Sequence, residues 1–135
     1  MSDCLEKEIT GQKLRPEEYS PLLLAYVGDA VYEMFVRTHL VKQGNLPVNE
    51  LHRLAKGFVS AKAQSDAVSR LESELTDEEV RIYKRGRNAK SATVPKNADV
   101  GDYRRATGIE ALIGFLYLKG EFDRLYEIME KIINC

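Results

Sequence analysis

Apolar residues in this chain recur at three- and four-residue spacing, and no segment sustains the period-two alternation of a half-buried strand. Pro21 opens the run LLLAYVGDAVYEMFVRTHL, which is too long for a strand and ends before Gly44 in QGNLP, a segment with helix-stop and turn chemistry. The pattern predicts a long helix there. Asn49 reads as the N-cap of the next helical stretch, whose apolar positions are Leu51, Leu54, Ala55, Phe58 and Val59, followed by Ala67, Val68, Leu71 and Leu75. Gly57 and Ser60 are candidates to split it in two. Thr76-Asp77-Glu78-Glu79 has the form of a capping box, with Thr76 as N-cap, Glu79 at N3, and Leu75 and Val80 placed as a hydrophobic staple. A short helix is expected to start there and fade near Tyr83. Arg85 to Gly101, with two glycines, a proline and several small polar residues, is expected to be a long exposed loop. After Asp102 the run RRATGIEALIGFLYL is again helical in length, and Gly120 closes it. A last amphipathic helix sets Phe122, Leu125, Met129, Ile132 and Ile133 on one face. The expected fold class is all-α.

Composition narrows this further. A chain of 135 residues, 44% of them hydrophobic, is expected to form one domain over residues 1–135, with a real core. The longest stretch without an ionisable acid or base, Tyr19 to Gly28, is far too short to span a bilayer, and the first residues lack a basic-then-apolar secretory pattern. The expectation is a soluble, cytoplasmic protein with no membrane partner. Cys4 and Cys135 sit at opposite ends without C-x-x-C spacing or a neighbouring histidine, so both are expected as reduced thiols. His39 and His52 are isolated and read as structural or surface residues.

Two carboxylates stand where the pattern has little room for them. Between Leu22 and Val36 the only charged residues are Asp29 and Glu33, and between Ala106 and Leu118 the only one is Glu110. Glu33 lies one turn from Arg37 and is expected to pair with it. Asp29 and Glu110 have no cation on their own helix faces within a turn. Burying an ionised carboxylate without compensation costs several kcal/mol or more, so each needs a partner from another helix, a raised pKa or a metal. Hard cations such as Mg²⁺ take oxygen ligands and keep several waters, which suits a sparse carboxylate site.

The formal charge of −1, from 20 Lys+Arg against 21 Asp+Glu, argues at first against a polyanionic partner. Its distribution reverses that reading. From Arg81 to Ala98 the chain carries Arg81, Lys84, Arg85, Arg87, Lys90 and Lys96 and no acid, leaving 14 bases and 21 acids elsewhere. The expected nucleic-acid contact is therefore on or beside this loop, with Gly86 permitting close backbone approach and Asn88 and Ser91 able to hydrogen-bond phosphate or ribose. No P-loop, G-x-G-x-x-G or RNP pattern is present, whereas duplex recognition by shape needs none of these.

Tyr26-Val27-Gly28-Asp29-Ala30-Val31 resembles the ribonuclease III signature, in which a Gly-Asp-Ala helix carries a catalytic aspartate. Gly108-Ile109-Glu110-Ala111-Leu112-Ile113-Gly114 resembles the second acidic helix of that family, in matching order and separation. The similarity covers nearly the whole chain, including Leu51-His52-Arg53-Leu54 and Phe58-Val59-Ser60. The chain departs from the family at two positions that are usually acidic, now Ala25 and Thr107, and with its last residue at Cys135 it is expected to lack the double-stranded-RNA-binding domain that normally follows. In this it is similar to a compact bacterial subfamily that matures the ends of large-subunit (23S) ribosomal RNA, and Arg85 to Ser91 resembles a segment of that subfamily. The resemblance implies a ribonuclease III-type helical endonuclease domain that cleaves double-stranded RNA as a homodimer. It also implies catalytic, Mg²⁺-holding roles for Asp29 and Glu110 and ribosomal RNA precursor as substrate; Glu33, Asp99 and Asp102 are candidates for outer ligands that the resemblance does not itself supply. A ribosomal protein is a further candidate partner. The alternatives are a non-cleaving protein that binds structured RNA and a helical protein-interaction module.

Overall fold

A computed structural model describes residues 3–11, 14–90, 94, 96 and 98–134. Among the described residues there are seven α-helices, two single-turn 3-10 segments and no strand. The α-helices are α1 (Asp3–Thr10), α2 (Pro21–Gln43), α3 (Val48–Val59), α4 (Ala61–Leu71), α5 (Asp77–Asn88), α6 (Val100–Lys119) and α7 (Phe122–Asn134).

The core is organised around α6, which is buried from Ala106 to Leu116 except at Glu110. A helix apolar on nearly every face can be stable in water only when other helices surround it. Here α2, α5 and α4 pack along α6, and α7 and α1 touch it more briefly. Glycine makes two of these contacts unusually close. A Cβ added at Gly28 of α2 would lie 1.7 Å from the carbonyl oxygen of Glu110, and one added at Gly114 of α6 would lie 1.9 Å from that of Leu24. The α2 and α6 backbones therefore touch. On another side of α6, Gly86 of α5 lies over Ala111 and Gly108, while Gly108 lies against the Tyr83 ring.

Caps mark several boundaries as the sequence predicts. Ser60 separates α3 from α4 by accepting a hydrogen bond from Ala63 N–H, the Thr76–Glu79 capping box opens α5, and Gly120, at φ 78°, closes α6 in the left-handed region. Other boundaries differ. Helix α3 begins at Val48 after Pro47 rather than from an Asn49 cap, Pro47 supplying no side-chain cap. The N-terminal helix α1 was not anticipated. Most consequentially, α5 continues past Tyr83 to Asn88 and α6 begins at Val100, where the side chain of Asp99 accepts from Asp102 N–H. The expected loop from Arg85 to Gly101 is thus shorter. Ile82, Tyr83 and Gly86 are buried, so packing on α6 carries the helix through a glycine that local propensity alone disfavours.

The closing end of the bundle is held by Glu79, which completes the capping box and receives two 2.8 Å hydrogen bonds from Arg124 of α7. Burial acts to raise its pKa, but the bonds from Arg124 and Thr76 outweigh it and leave the carboxyl below its usual range.

Candidate active site

The backbone contact between Gly28 and Gly114 brings the next residue of α2, Asp29, within hydrogen-bonding reach of Glu110 on α6. Two acids distant in sequence thus form one site. Asp29 is exposed and Glu110 half-buried, so the pair has one oxygen-rich side open to solvent and one set into the helices. The Glu110 carboxyl is pushed up to about 8, first by burial and then by Asp29, against the opposing effect of the Gln64 side chain of α4, which lies within hydrogen-bonding reach. The buried Tyr32 of α2 donates its hydroxyl to the Phe58 carbonyl at 3.2 Å. Burial and then the charge of Glu110 raise the Tyr32 phenol, while Arg70 opposes them.

Two carboxyls this close cannot both ionise cheaply without a cation. Among the described residues neither takes part in an ion pair, and no third histidine, cysteine, aspartate or glutamate joins them in a group able to hold a metal. The donors are oxygens only, few in number and of like charge. That combination fits a hard divalent ion retaining most of its waters. Of the three outer-ligand candidates, Glu33 is engaged with Arg37 as its spacing predicts, and Asp99 caps α6. Asp102 is not grouped with the pair.

The basic residues divide between helix and connection. Arg81, Lys84, Arg85, Arg87 and Asn88 lie on α5, whereas Lys90 and Lys96 lie in the segment before α6; Ser91 falls outside the described residues. Arg81, Lys84, Lys90 and Lys96 are exposed. Arg85 donates to the carbonyls of Glu17 at 2.9 Å and Tyr19 at 3.0 Å, so its guanidinium ties the entry of α2 to α5. Arg87 lies over the Tyr83 ring at 5.8 Å and donates to the Asn88 side chain. Gly86, expected to admit RNA backbone, instead admits α6. Between the end of α5 and the start of α6 is a cleft of about 310 Å³ lined by Lys90, Tyr103, Arg104 and Thr107 among others. His39 is half-buried with its ring edge-on to Phe58, and His52 is exposed.

Sequence reasoning missed Arg104 in that cleft and Gln64 beside Glu110. The signal for Gln64 was a polar residue on the otherwise apolar stripe with Val68 and Leu71.

A helical bundle carrying an acidic pair across a glycine crossing, with cations gathered on a neighbouring helix, is the equipment of a nuclease. Residues 22–121 match the model of the ribonuclease III domain. The chain belongs to the ribonuclease III family and is an endoribonuclease of that family. Its relatives include proteins named Mini-ribonuclease 3. That of Clostridium tetani is 49% identical over 131 residues, covering 96% of this chain and 85% of the relative. That of Thermoanaerobacter sp. is 54% identical over 111 residues, covering 82% and 78%. The crystal structure of a Fusobacterium nucleatum protein superposes with a TM-score of 0.79 at 33% identity, covering 87% of this chain and 93% of that one.

Proposed function

We propose that the chain is one catalytic domain that cleaves double-stranded RNA with Mg²⁺ held by Asp29 and Glu110, acting as a homodimer in the cytoplasm on large-subunit ribosomal RNA precursors. The observation that carries this reading is the meeting of Asp29 and Glu110 across the Gly28–Gly114 contact. A bound hard cation supplies Lewis-acid stabilisation of phosphate charge and makes water a stronger acid, which is what in-line hydrolysis to 5′-phosphate and 3′-hydroxyl ends requires. The chain's own part is to present the two carboxylates. Glu110 must first release its proton, because its carboxyl is pushed up to about 8, and proximity to Asp29 couples that release to cation binding.

Arg81, Lys84, Lys90, Lys96 and Arg104 are exposed cations with no acid between residues 81 and 98, and they suit contact with the sugar-phosphate backbone of a duplex. The outer face of α2 favours a second copy of the chain. Leu23, Tyr26, Ala30 and Met34 are all exposed and follow helical spacing, and Tyr26, 79% exposed, stands one turn before Asp29. A dimer built on that face would set two acidic pairs near one interface, one for each strand.

The test incubates the purified chain and its Asp29→Asn and Glu110→Gln variants with duplex RNA, with and without Mg²⁺. Mg²⁺-dependent cleavage by the wild type, lost at least 100-fold in both variants while RNA binding persists, is the expected result. Binding without any Mg²⁺-dependent cleavage by the wild type would leave a non-cleaving RNA-binding protein instead.

A further inference from the structure

Gln64 is a polar side chain in a place built for an apolar one. It is 3% exposed, on α4, the helix that packs along α6. An amide buried at that depth without a partner is destabilising, so what it bonds to matters. Its side chain is within hydrogen-bonding reach of Glu110 and acts to lower that carboxyl's pKa.

The position of α4 is itself fixed from α6. Arg105 reaches across to donate to Ser65 Oγ at 3.1 Å and to Ser69 Oγ at 2.7 Å, and Ser65, the neighbour of Gln64, is fully buried. Ser60 caps the same helix one turn before Gln64. With α4 fixed in this way, burial of the side chain leaves the carboxamide little freedom. Its chemistry also suits the task. A carboxamide donates a hydrogen bond to a carboxylate without bringing a positive charge, so it can orient Glu110 and leave the negative charge available to a cation. A lysine or arginine in its place would occupy that charge, and a leucine would leave a carboxylate oxygen unsatisfied.

We infer that Gln64 is a positioning residue, whose carboxamide holds the Glu110 carboxylate toward Asp29 in the geometry that binds the metal. The inference rests on the proposed metal role of the pair, so the experiment measures that role first. Mn²⁺ binding to the RNA-free protein is followed by electron paramagnetic resonance and calorimetry for the wild type, Asp29→Asn, Gln64→Leu and Gln64→Met, beside thermal melting and duplex-RNA binding without divalent metal. Wild-type binding that Asp29→Asn abolishes establishes the metal reading; no binding, or binding unchanged in Asp29→Asn, overturns that reading and this inference with it.

Where the metal reading stands, Gln64→Leu is expected to bind Mn²⁺ about 10-fold more weakly. It should keep its RNA affinity within twofold, and in cleavage assays it should lower kcat at fixed Mg²⁺ with KM for RNA unchanged. In a Glu110→Gln background the same substitution should change Mn²⁺ binding no further. Mn²⁺ affinity within twofold of wild type in a folded Gln64→Leu protein overturns the inference while leaving the metal reading intact. So does a parallel loss of RNA binding and melting temperature, which marks a purely structural residue. Gln64→Met, closer to glutamine in length, carries the measurement if the leucine variant fails to fold; failure of both assigns Gln64 to stability and also overturns the inference.

Discussion

At the scale of single residues, the site is an imbalance of charge held in place by packing. Glu110 ordinarily titrates near 4.5 and is pushed up to about 8 in the folded chain, by burial first and by Asp29 second. The folded state then binds this proton more tightly than the unfolded state does. Its stabilising contribution is complete below about pH 4.5 and is lost as pH rises through about 8. Metal-free protein should therefore melt at progressively lower temperature between pH 5 and pH 8.5, and Glu110→Gln, which has no proton to lose, should show a flatter profile. Mg²⁺ should restore the wild type most at the alkaline end, where the carboxylate is free to take it. Parallel melting curves for the two proteins across that range would contradict the assignment of the proton to Glu110.

The same scale separates cations that look alike in the sequence. Arg85 is held by two backbone carbonyls, whereas Lys84 beside it is exposed and in no ion pair among the described residues. A run of like charges identifies a region of potential, not which of its members is committed inside the chain.

At the scale of helices, glycine decides how closely they approach. Gly28 has a backbone carbonyl in the space a Cβ would fill, so alanine there must push α2 and α6 apart. Gly57 of α3 has nothing within 4 Å of the same position. Gly28→Ala should cost about 3 kcal/mol or more in urea unfolding, the upper end of overpacking, and should also lower cleavage because the Asp29–Glu110 pair is opened. Gly57→Ala should instead stabilise by about 0.5–1 kcal/mol, the ordinary helix-interior preference for alanine. Equal effects of the two substitutions would show that the crossing is not set by the absent Cβ. Tertiary packing also explains the length of α5. Local propensity favours an end near Tyr83, but Tyr83 and Gly86 are both buried against α6, and the helix persists to Asn88.

At the scale of the molecule, charge is segregated. The six cations from residue 81 to 98 sit on α5 and the segment after it, while acids exceed bases by seven elsewhere. No described helix is long and apolar enough to cross a membrane. The apolar strip through Leu23, Tyr26 and Met34 is the proposed contact with a second chain. Tyr26→Asp should convert a two-chain species to one chain in sedimentation at micromolar concentration, leave helix content and Mn²⁺ binding per chain unchanged, and reduce duplex cleavage more than 10-fold. A wild type that sediments as one chain at those concentrations would remove the dimer from the proposal.

The sequence by itself determined the all-α class, several helix boundaries and the family, and it singled out the two acids proposed for catalysis. Periodicity records which face of a helix is buried, caps record where helices begin, and a carboxylate on an apolar helix is conspicuous without coordinates. Other features belonged to the tertiary structure. That Asp29 and Glu110 face each other depends on a backbone contact between Gly28 and Gly114, and one-dimensional spacing does not specify which helices touch. The full length of α5, the commitment of Arg85 to the start of α2 and the approach of Gln64 to Glu110 depend on the same assembly. Each is a relation between helices, created only when burial brings distant segments together.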